Sequence, residues 1–319
     1  MASHVRSSRS PRLESTCKEI HNTWGSLNHL SGALASCTAS ERKQIREMYK
    51  AMYGEDLVER LHGDHSANPE NEMSAALYMW MLDPLERDAF VAKKALEYID
   101  SQCRALVEIY TCRKSNQLFY INRAYQTRFK RTLDQDVISQ PSHPYQRIMV
   151  ALAASHKSHN TDVSQHIAKC DAKRLYEAGK GGMGTIDESV ILELLSKRSI
   201  SQLKQAFSCY KQIYGHNYTK SLKKEPSGEF LESLRQVVKC MSDPPKYFSK
   251  VLYMSMKGMI SDRSAVTRVI VGRAEVDMKE IERTFKKKYG MKLQEAICEN
   301  VQNKDMQNFL VTLMASSNP

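Results

Sequence analysis

Four segments of the chain repeat one helical pattern at near-equal intervals, and that recurrence limits the fold more than anything else. ERKQIREMYKAMYGEDL, QLFYINRAYQTRFKRTL, QLKQAFSCYKQIYGHNY and EIERTFKKKYGMKL each carry two aromatic residues four apart. The pairs are Tyr49/Tyr53, Tyr125/Phe129, Tyr210/Tyr214 and Phe285/Tyr289. Spacing of i, i+4 puts both rings on one face of a helix, where they are expected to stack on each other. A second, longer period spans two of these intervals. It links LVEIYTCRKSNQL at Leu106 to VTRVIVGRAEVDM at Val266, and DPLERDAFVAKKAL at Asp83 to DPPKYFSKVLYMSM at Asp243, with the same offset in both cases. The chain therefore reads as an array of four units with a pseudo-twofold relation between its halves.

Helix is expected nearly throughout. Thr38 with Glu41, and Ser199 with Gln202, have the spacing of capping boxes, and no sustained β alternation competes. Residues 1–15 (MASHVRSSRSPRLES) read as a flexible basic tail, and HSANPENE at 65–72 as a polar insertion in the first unit. The stretch 156–172 lacks the aromatic pattern and suits a linker between halves. No run approaches 18 apolar residues and no charged-then-apolar leader opens the chain, so a soluble, intracellular protein is expected. Eight cysteines are scattered without a C-x-x-C pair, and in that setting read as reduced thiols. A net charge of +11 points to an anionic partner, lipid headgroups or nucleic acid.

One loop differs from the rest: Gly179-Lys180-Gly181-Gly182-Met183-Gly184-Thr185, followed by Ile186-Asp187-Glu188. Four glycines in six residues let backbone carbonyls turn inward, where side chains would otherwise obstruct. Further along the chain, Lys223-Lys224-Glu225-Pro226-Ser227-Gly228 supplies a second turn with an acid. Calcium takes six to eight oxygens, mixing carbonyls, a bidentate carboxylate and water, and such a loop pair can supply them. The same spacing also suits a helix C-cap followed by an N-cap. A phosphate-binding loop fits worse, because that motif needs Lys-Ser/Thr after its last glycine and here Lys180 comes first.

At this point the residues resemble the annexin family, and its plant-type members in particular, over roughly residues 16–316. The family motif is M/K-G-x-G-T with an acid well downstream. Gly182-Met183-Gly184-Thr185 with Glu225 matches it, stretched by a single insertion at Ile186. LVEIYTCRKSNQL, DPLERDA, KYFSKVL and VTRVIVGRAEVD are similar to annexin helix phrases. The resemblance implies an all-α fold of four repeats of five helices, packed as a slightly curved disc. Its expected segments are tail 1–15, repeats 16–84 and 85–155, linker 156–172, and repeats 173–243 and 244–316. It further implies a calcium-dependent protein that docks peripherally on acidic phospholipid from the cytoplasm. Calcium would be held by the carbonyls of Lys180, Gly182 and Gly184 and the carboxylate of Glu225, with an affinity of about 10⁻⁴ M without lipid. Actin and self-association are further partner candidates.

The other three units depart from the motif. The first has Thr23-Trp24-Gly25-Ser26, lacking the first glycine, with Asp64 the nearest acid. The second, around Tyr98-Ile99-Asp100-Ser101, has no glycine loop. The fourth has Met256-Lys257-Gly258-Met259 and then Ile260, which resists positive φ, while its acid position falls near Asn300 or Val301 beside Glu299. Only the third unit is expected to bind calcium in the family's manner.

Trp24, Met183 and Met259 occupy the same position in three units. Apolar loop tips suit lipid, and Trp suits the headgroup region best. The alternative is that each tucks into its own bundle. Lys223, Lys224 and Lys257, with Lys180, flank these loops, and each lysine is worth about 1 kcal/mol near an anionic surface. Arg113, Arg198 and Arg273 recur at one position, where the first unit has Cys37. The resemblance places them with Asp88 around a hydrophilic centre, but arginines bridging carbonyls and acids inside the array explain them better. His62, His65, His156, His159 and His166 fall in polar segments and read as solvated. Two alternative functions remain: calcium-independent binding of acidic lipid, and a basic helical-repeat RNA binder. The second is disfavoured because the aromatic pairs lie on apolar faces. No nucleophile-base arrangement stands out, so no enzyme is expected.

Overall fold

A computed structural model describes residues 11–24, 27–69, 71–97, 104–140, 144–156, 162–179, 186–223, 228–259 and 264–316. Among the described residues every regular element is a helix. The first repeat forms α1 (Pro11–Asn22), α2 (Leu27–Ala35), α3 (Ala39–Tyr53), α4 (Leu57–Ala67) and α5 (Glu72–Met81). The second forms α6 (Pro84–Glu97), α7 (Arg104–Cys112), α8 (Ser115–Phe129), α9 (Leu133–Ile138) and α10 (Pro144–Ser155). The third forms α11 (Gln165–Ala178), α12 (Glu188–Lys197), α13 (Ile200–Tyr214), α14 (Tyr218–Ser221) and α15 (Glu229–Ser242). The fourth forms α16 (Pro244–Met256), α17 (Ala265–Arg273), α18 (Met278–Tyr289), α19 (Leu293–Asn300) and α20 (Lys304–Ala315). Two starts differ from the sequence reading. Proline is favoured at a first helical position, and α1 begins at Pro11, inside the segment 1–15. Ser164 caps α11 through Ile167 N–H, so α11 begins within 156–172.

Three side-chain positions recur, and they explain why the repeat is helical at these places. The first ring of each aromatic pair is the core of its repeat: Tyr49, Tyr125, Tyr210 and Phe285 are all at most 1 % exposed. The second ring does not stack on it. The two lie 4.7–4.9 Å apart at 48–60°, because the i, i+4 offset along a helix tilts one ring against the other. Stacking goes instead to the first helix of the repeat. His21 lies on Tyr53 at 3.8 Å and 2°, Tyr176 on Tyr214 at 4.1 Å and 13°, and Tyr253 on Tyr289 at 3.9 Å and 2°. In the second repeat Lys93, the counterpart of Tyr253 by the longer sequence period, sits in that place. Its ammonium lies 5.9 Å over the Phe129 ring and 3.6 Å from Asp136.

The residue eleven after each core ring forms the second position. Tyr49 meets Arg60 at 2.7 Å, Tyr125 donates to Asp136 at 2.6 Å, and Tyr210 meets Ser221 at 2.7 Å. In the fourth repeat Phe285 has no hydroxyl, and the residue eleven on is Ala296. The phenol and its partner are lost together, as a buried hydroxyl without a partner would demand. Asp136 also accepts from Arg131. Burial opposes its ionisation, but the bonds from Tyr125 and Arg131 hold its carboxyl below the usual range.

The turn after the third helix is the third position. Gly54, Gly215 and Gly290 cap α3, α13 and α18 with φ of 75°, 73° and 77°. Lys130 does the same for α8 at φ 60°, a left-handed conformation that costs an L-residue about 1–2 kcal/mol.

The chain divides into two compact units, Met1–Arg87 with Phe248–Pro319, and Asp88–Tyr247. The first unit joins the beginning and end of the chain. Arg42 donates twice to Glu275 at 3.0 and 2.8 Å, lies 3.6 Å over the Trp80 ring, and donates to the Cys37 carbonyl. Arg87 donates to the carbonyls of Met79 and Val271, and α2 packs on α20. In the second unit α7 packs on α15, where Thr111 donates to the Cys240 sulfur at 3.1 Å, and α10 packs on α12. Thr38 and Glu41 form the expected capping box, whereas Gln202 is diverted. Its amide accepts from Ser164 N–H at 2.8 Å and donates to Ser164 O at 3.0 Å, tying α13 to the start of α11.

The histidines are not all solvated. His156 donates from Nε2 to the Tyr110 carbonyl at 2.8 Å and meets Ser115 at 3.1 Å through Nδ1. Burial holds its pKa below the ordinary value, and the Tyr110 bond opposes this only in part. His62 and His65 lie on α4 against Tyr78. His159 lies outside the described residues.

Lys130→Gly is expected to raise stability in urea by up to about 1 kcal/mol, since the left-handed strain outweighs the added unfolded-state entropy; a loss of stability contradicts that reading of the turn. A depressed histidine favours the fold at high pH and withdraws that support as pH falls below the unfolded pKa of about 6.5. The urea midpoint should therefore fall from about pH 7 to 5, and His156→Gln should flatten that fall.

Candidate functional site

The sequence places the calcium-type site between the first and second helices of the third repeat, facing the turn after its fourth. Lys180, Gly182, Met183, Gly184, Lys224 and Glu225 lie outside the described residues. The frame around them is described. α11 ends at Ala178, whose carbonyl accepts from Asp187 N–H at 2.9 Å, so the loop leaves and returns through one hydrogen bond. Asp187 then caps α12. Its carboxylate accepts from the Ser189 hydroxyl at 2.6 Å and from Ser189 and Val190 N–H, which hold its pKa below the usual range. Asp187 is thus spent on the helix, and Ile186 beside it is buried. Glu188 pairs with Arg147 at 2.8 Å. The facing turn starts after Leu222, 1 % exposed, with Lys223 in solvent, and re-enters helix at Gly228–Glu229. The helix ends that flank both segments are therefore fixed.

The other repeats place different groups in the corresponding places. In the first, the Arg60 guanidinium covers the Trp24 ring at 3.9 Å and bonds Glu55 at 2.5 Å, so Trp24 is half-buried. In the second, the segment at Tyr98–Ser101 lies outside the described residues. In the turn after its fourth helix, the carbonyls of Ile138 and Gln140 already accept from the Gln146 amide, at 2.8 and 3.3 Å. In the fourth, Gly258 has φ 65°, Met259 N–H bonds the Met254 carbonyl at 2.8 Å, and Met259 is 61 % exposed. Lys257 Nζ lies 3.5 Å from Asn300 Oδ1, which puts an ammonium beside the position where the third repeat has its acid. The cation over Trp24 in the first repeat, the claimed pair of carbonyls in the second and a neutral Asn300 at the acid position of the fourth each disfavour calcium there. Arg60 and Gln146 were not singled out from sequence. The position of Arg60, eleven after the core ring, was the available signal for the first.

The recurrent arginines are structural pairs. Arg113 chelates Asp88 at 2.5 and 3.0 Å, and Arg198 chelates Asp171, 1 % exposed, at 2.7 and 3.0 Å. In the fourth repeat the position of Asp88 is Phe248, and Arg273 lies 4.7 Å over that ring while pairing with Asp277 at 2.6 Å. Cys37 in the first repeat donates to the Ala33 carbonyl. One Ser–His contact is present: Ser221 meets His216 Nε2 at 2.9 Å, with Nδ1 donating to the Tyr214 carbonyl at 2.7 Å. Ser221 is the partner of the core phenol, the place taken by Arg60 and Asp136 elsewhere, which makes the contact part of the repeat's clamp. Among the described residues no three or more His, Cys, Asp or Glu converge as a metal site. The core rings, at most 1 % exposed, offer no platform for bases, so the RNA reading is not favoured.

Comparison with known proteins agrees with this geometry. The sequence profile of the annexin family matches residues 87–152, 170–237 and 247–313. Annexin A13 of Homo sapiens is 33 % identical over 303 residues, covering 95 % of this chain and 93 % of the relative. Annexin D2 of Arabidopsis thaliana is 31 % identical over 319 residues, covering 98 % of each. Among solved structures, annexin III superposes with a TM-score of 0.81 at 29 % identity, covering 96 % of this chain and 94 % of that one. A mutant annexin A8 with an intact N-terminus does so with 0.82 at 28 %, covering 98 % of each. The architecture and these similarities together are those of a calcium-dependent phospholipid-binding repeat protein. The chain belongs to the annexin family. Residues ahead of 87 fall outside the profile match, in keeping with the altered first repeat.

Asp171→Asn tests whether the arginine pairs are structural. Its expected cost is about 2 kcal/mol in urea unfolding, reduced from the fully buried value because Arg198 is partly exposed. Calcium-dependent vesicle binding should persist; its loss at unchanged stability would assign the pair a role in binding.

Proposed function

We propose that the chain docks peripherally on acidic membranes through a single competent calcium site in the third repeat. The carbonyls of Lys180, Gly182 and Gly184 and the carboxylate of Glu225 hold the ion, and lipid phosphate completes its shell. Met259 and Met183 meet the headgroup region, as does Trp24 so far as Arg60 releases it. Lys223, Lys224 and Lys257 supply attraction of about 1 kcal/mol each near an anionic surface. No described helix is long and apolar enough to cross a membrane. The cytoplasmic leaflet, rich in anionic lipid, is the surface this charge suits.

The observation that carries the proposal is the contrast among the loop frames. The third repeat keeps the glycines and the downstream acid, and its loop frame closes with the Asp187–Ala178 bond, while Arg60 covers Trp24 in the first repeat and the fourth has Ile260 and Asn300 at the glycine and acid positions. Lipid attraction through lysines without calcium is the competing account.

Co-sedimentation with acidic and neutral vesicles, with calcium or chelator, separates the two. Wild type should pellet with acidic vesicles in calcium, and Glu225→Gln should lose most of the calcium-dependent fraction. Equal pelleting from neutral and acidic vesicles, or an unchanged calcium response in Glu225→Gln, contradicts the proposal.

A further inference from the structure

A pair of metal-binding side chains lies on the first helix of the third repeat, away from its glycine loop. His166 and Cys170 are four residues apart on α11, both exposed, and the imidazole Nε2 lies 3.8 Å from the thiol sulfur. Residues at i and i+4 share a helix face, the spacing by which two helical histidines hold zinc in metalloproteases. Zinc binds sulfur at about 2.3 Å and imidazole nitrogen at about 2.0–2.1 Å, so a tetrahedral angle sets the two donors about 3.5 Å apart. The pair need close by only about 0.3 Å, and both side chains are exposed.

We infer that His166 and Cys170 form a two-ligand site for a zinc-class cation, with water in the remaining positions. Binding joins the cation to the thiolate sulfur and to Nε2, and the thiol proton goes to solvent. The donor types select the metal: thiolate with imidazole suits zinc and softer ions, whereas calcium takes oxygen. The site shares no residue with the calcium loop. Lys169 and Lys173 are exposed on the same helix and oppose a bound cation, which sets the site among weak ones. Cys298, also exposed, has Gln294 and Gln302 at four residues either side and Glu295 and Val301 at three. It lacks an imidazole at helical spacing and serves as the internal control.

The test is a cadmium titration of the full chain under reducing conditions, followed by the ultraviolet charge-transfer absorption of the cadmium–thiolate bond. Excess calcium is kept present so that oxygen sites are filled. A saturable band is expected that disappears in Cys170→Ser, survives in Cys298→Ser, and is displaced by zinc. His166→Gln should weaken cadmium binding by about tenfold or more. All three substitutions fall on exposed side chains, and circular dichroism confirms folding. No band, a band that survives Cys170→Ser, a His166→Gln titration identical to wild type, or failure of zinc to displace cadmium overturns the inference.

Discussion

Each repeat is built around one aromatic ring buried in the C-terminal half of its third helix. Removing such a ring to alanine typically costs about 3–5 kcal/mol, more than any surface pair in the molecule could contribute. Other features are attached to it in fixed register. The next ring along the helix reaches out to stack on the first helix of the repeat, and the residue eleven later clamps the phenol or, in Phe285's case, is absent in kind. A left-handed residue then turns the chain into the fourth helix. This scaffold tolerates large changes in chemistry. His21, Lys93, Tyr176 and Tyr253 all serve at the stacking position, and Arg60, Asp136 and Ser221 all serve at the clamp.

That separation explains how four repeats keep one fold while their loops diverge. The helix ends that flank the loops are held by the core, and the core rings and clamps lie on the helices and not in the loops. The first repeat has taken an arginine over its tryptophan, and the fourth a lysine beside its asparagine. Both put positive charge beside turns where the motif is incomplete. Attraction to an anionic surface survives such changes, since lysine and arginine are drawn to the same phosphates that calcium would bridge.

The helical class and the repeat register were legible because an i, i+4 aromatic pair leaves a strong periodic mark. The direction of stacking was not legible, since it depends on which helix crosses the pair. Nor was the diversion of Gln202 from its capping box to Ser164, a contact between residues far apart in sequence. His156 lies in a polar stretch, yet its ring turns back to the Tyr110 carbonyl and is largely shielded there. The third-repeat loop was read from its glycines, and residues 180–185 lie outside the described ones. The cations that oppose calcium elsewhere were harder to see, because Arg60 belongs to a different helix from Trp24.

The most direct test of a single competent metal site is a crystal structure grown in excess calcium. An ion bound by the carbonyls of Lys180, Gly182 and Gly184 with Glu225 is expected, and none at Trp24-Gly25 or Gly258-Met259. An ion at either of those turns, or an empty third-repeat loop, would contradict a single site.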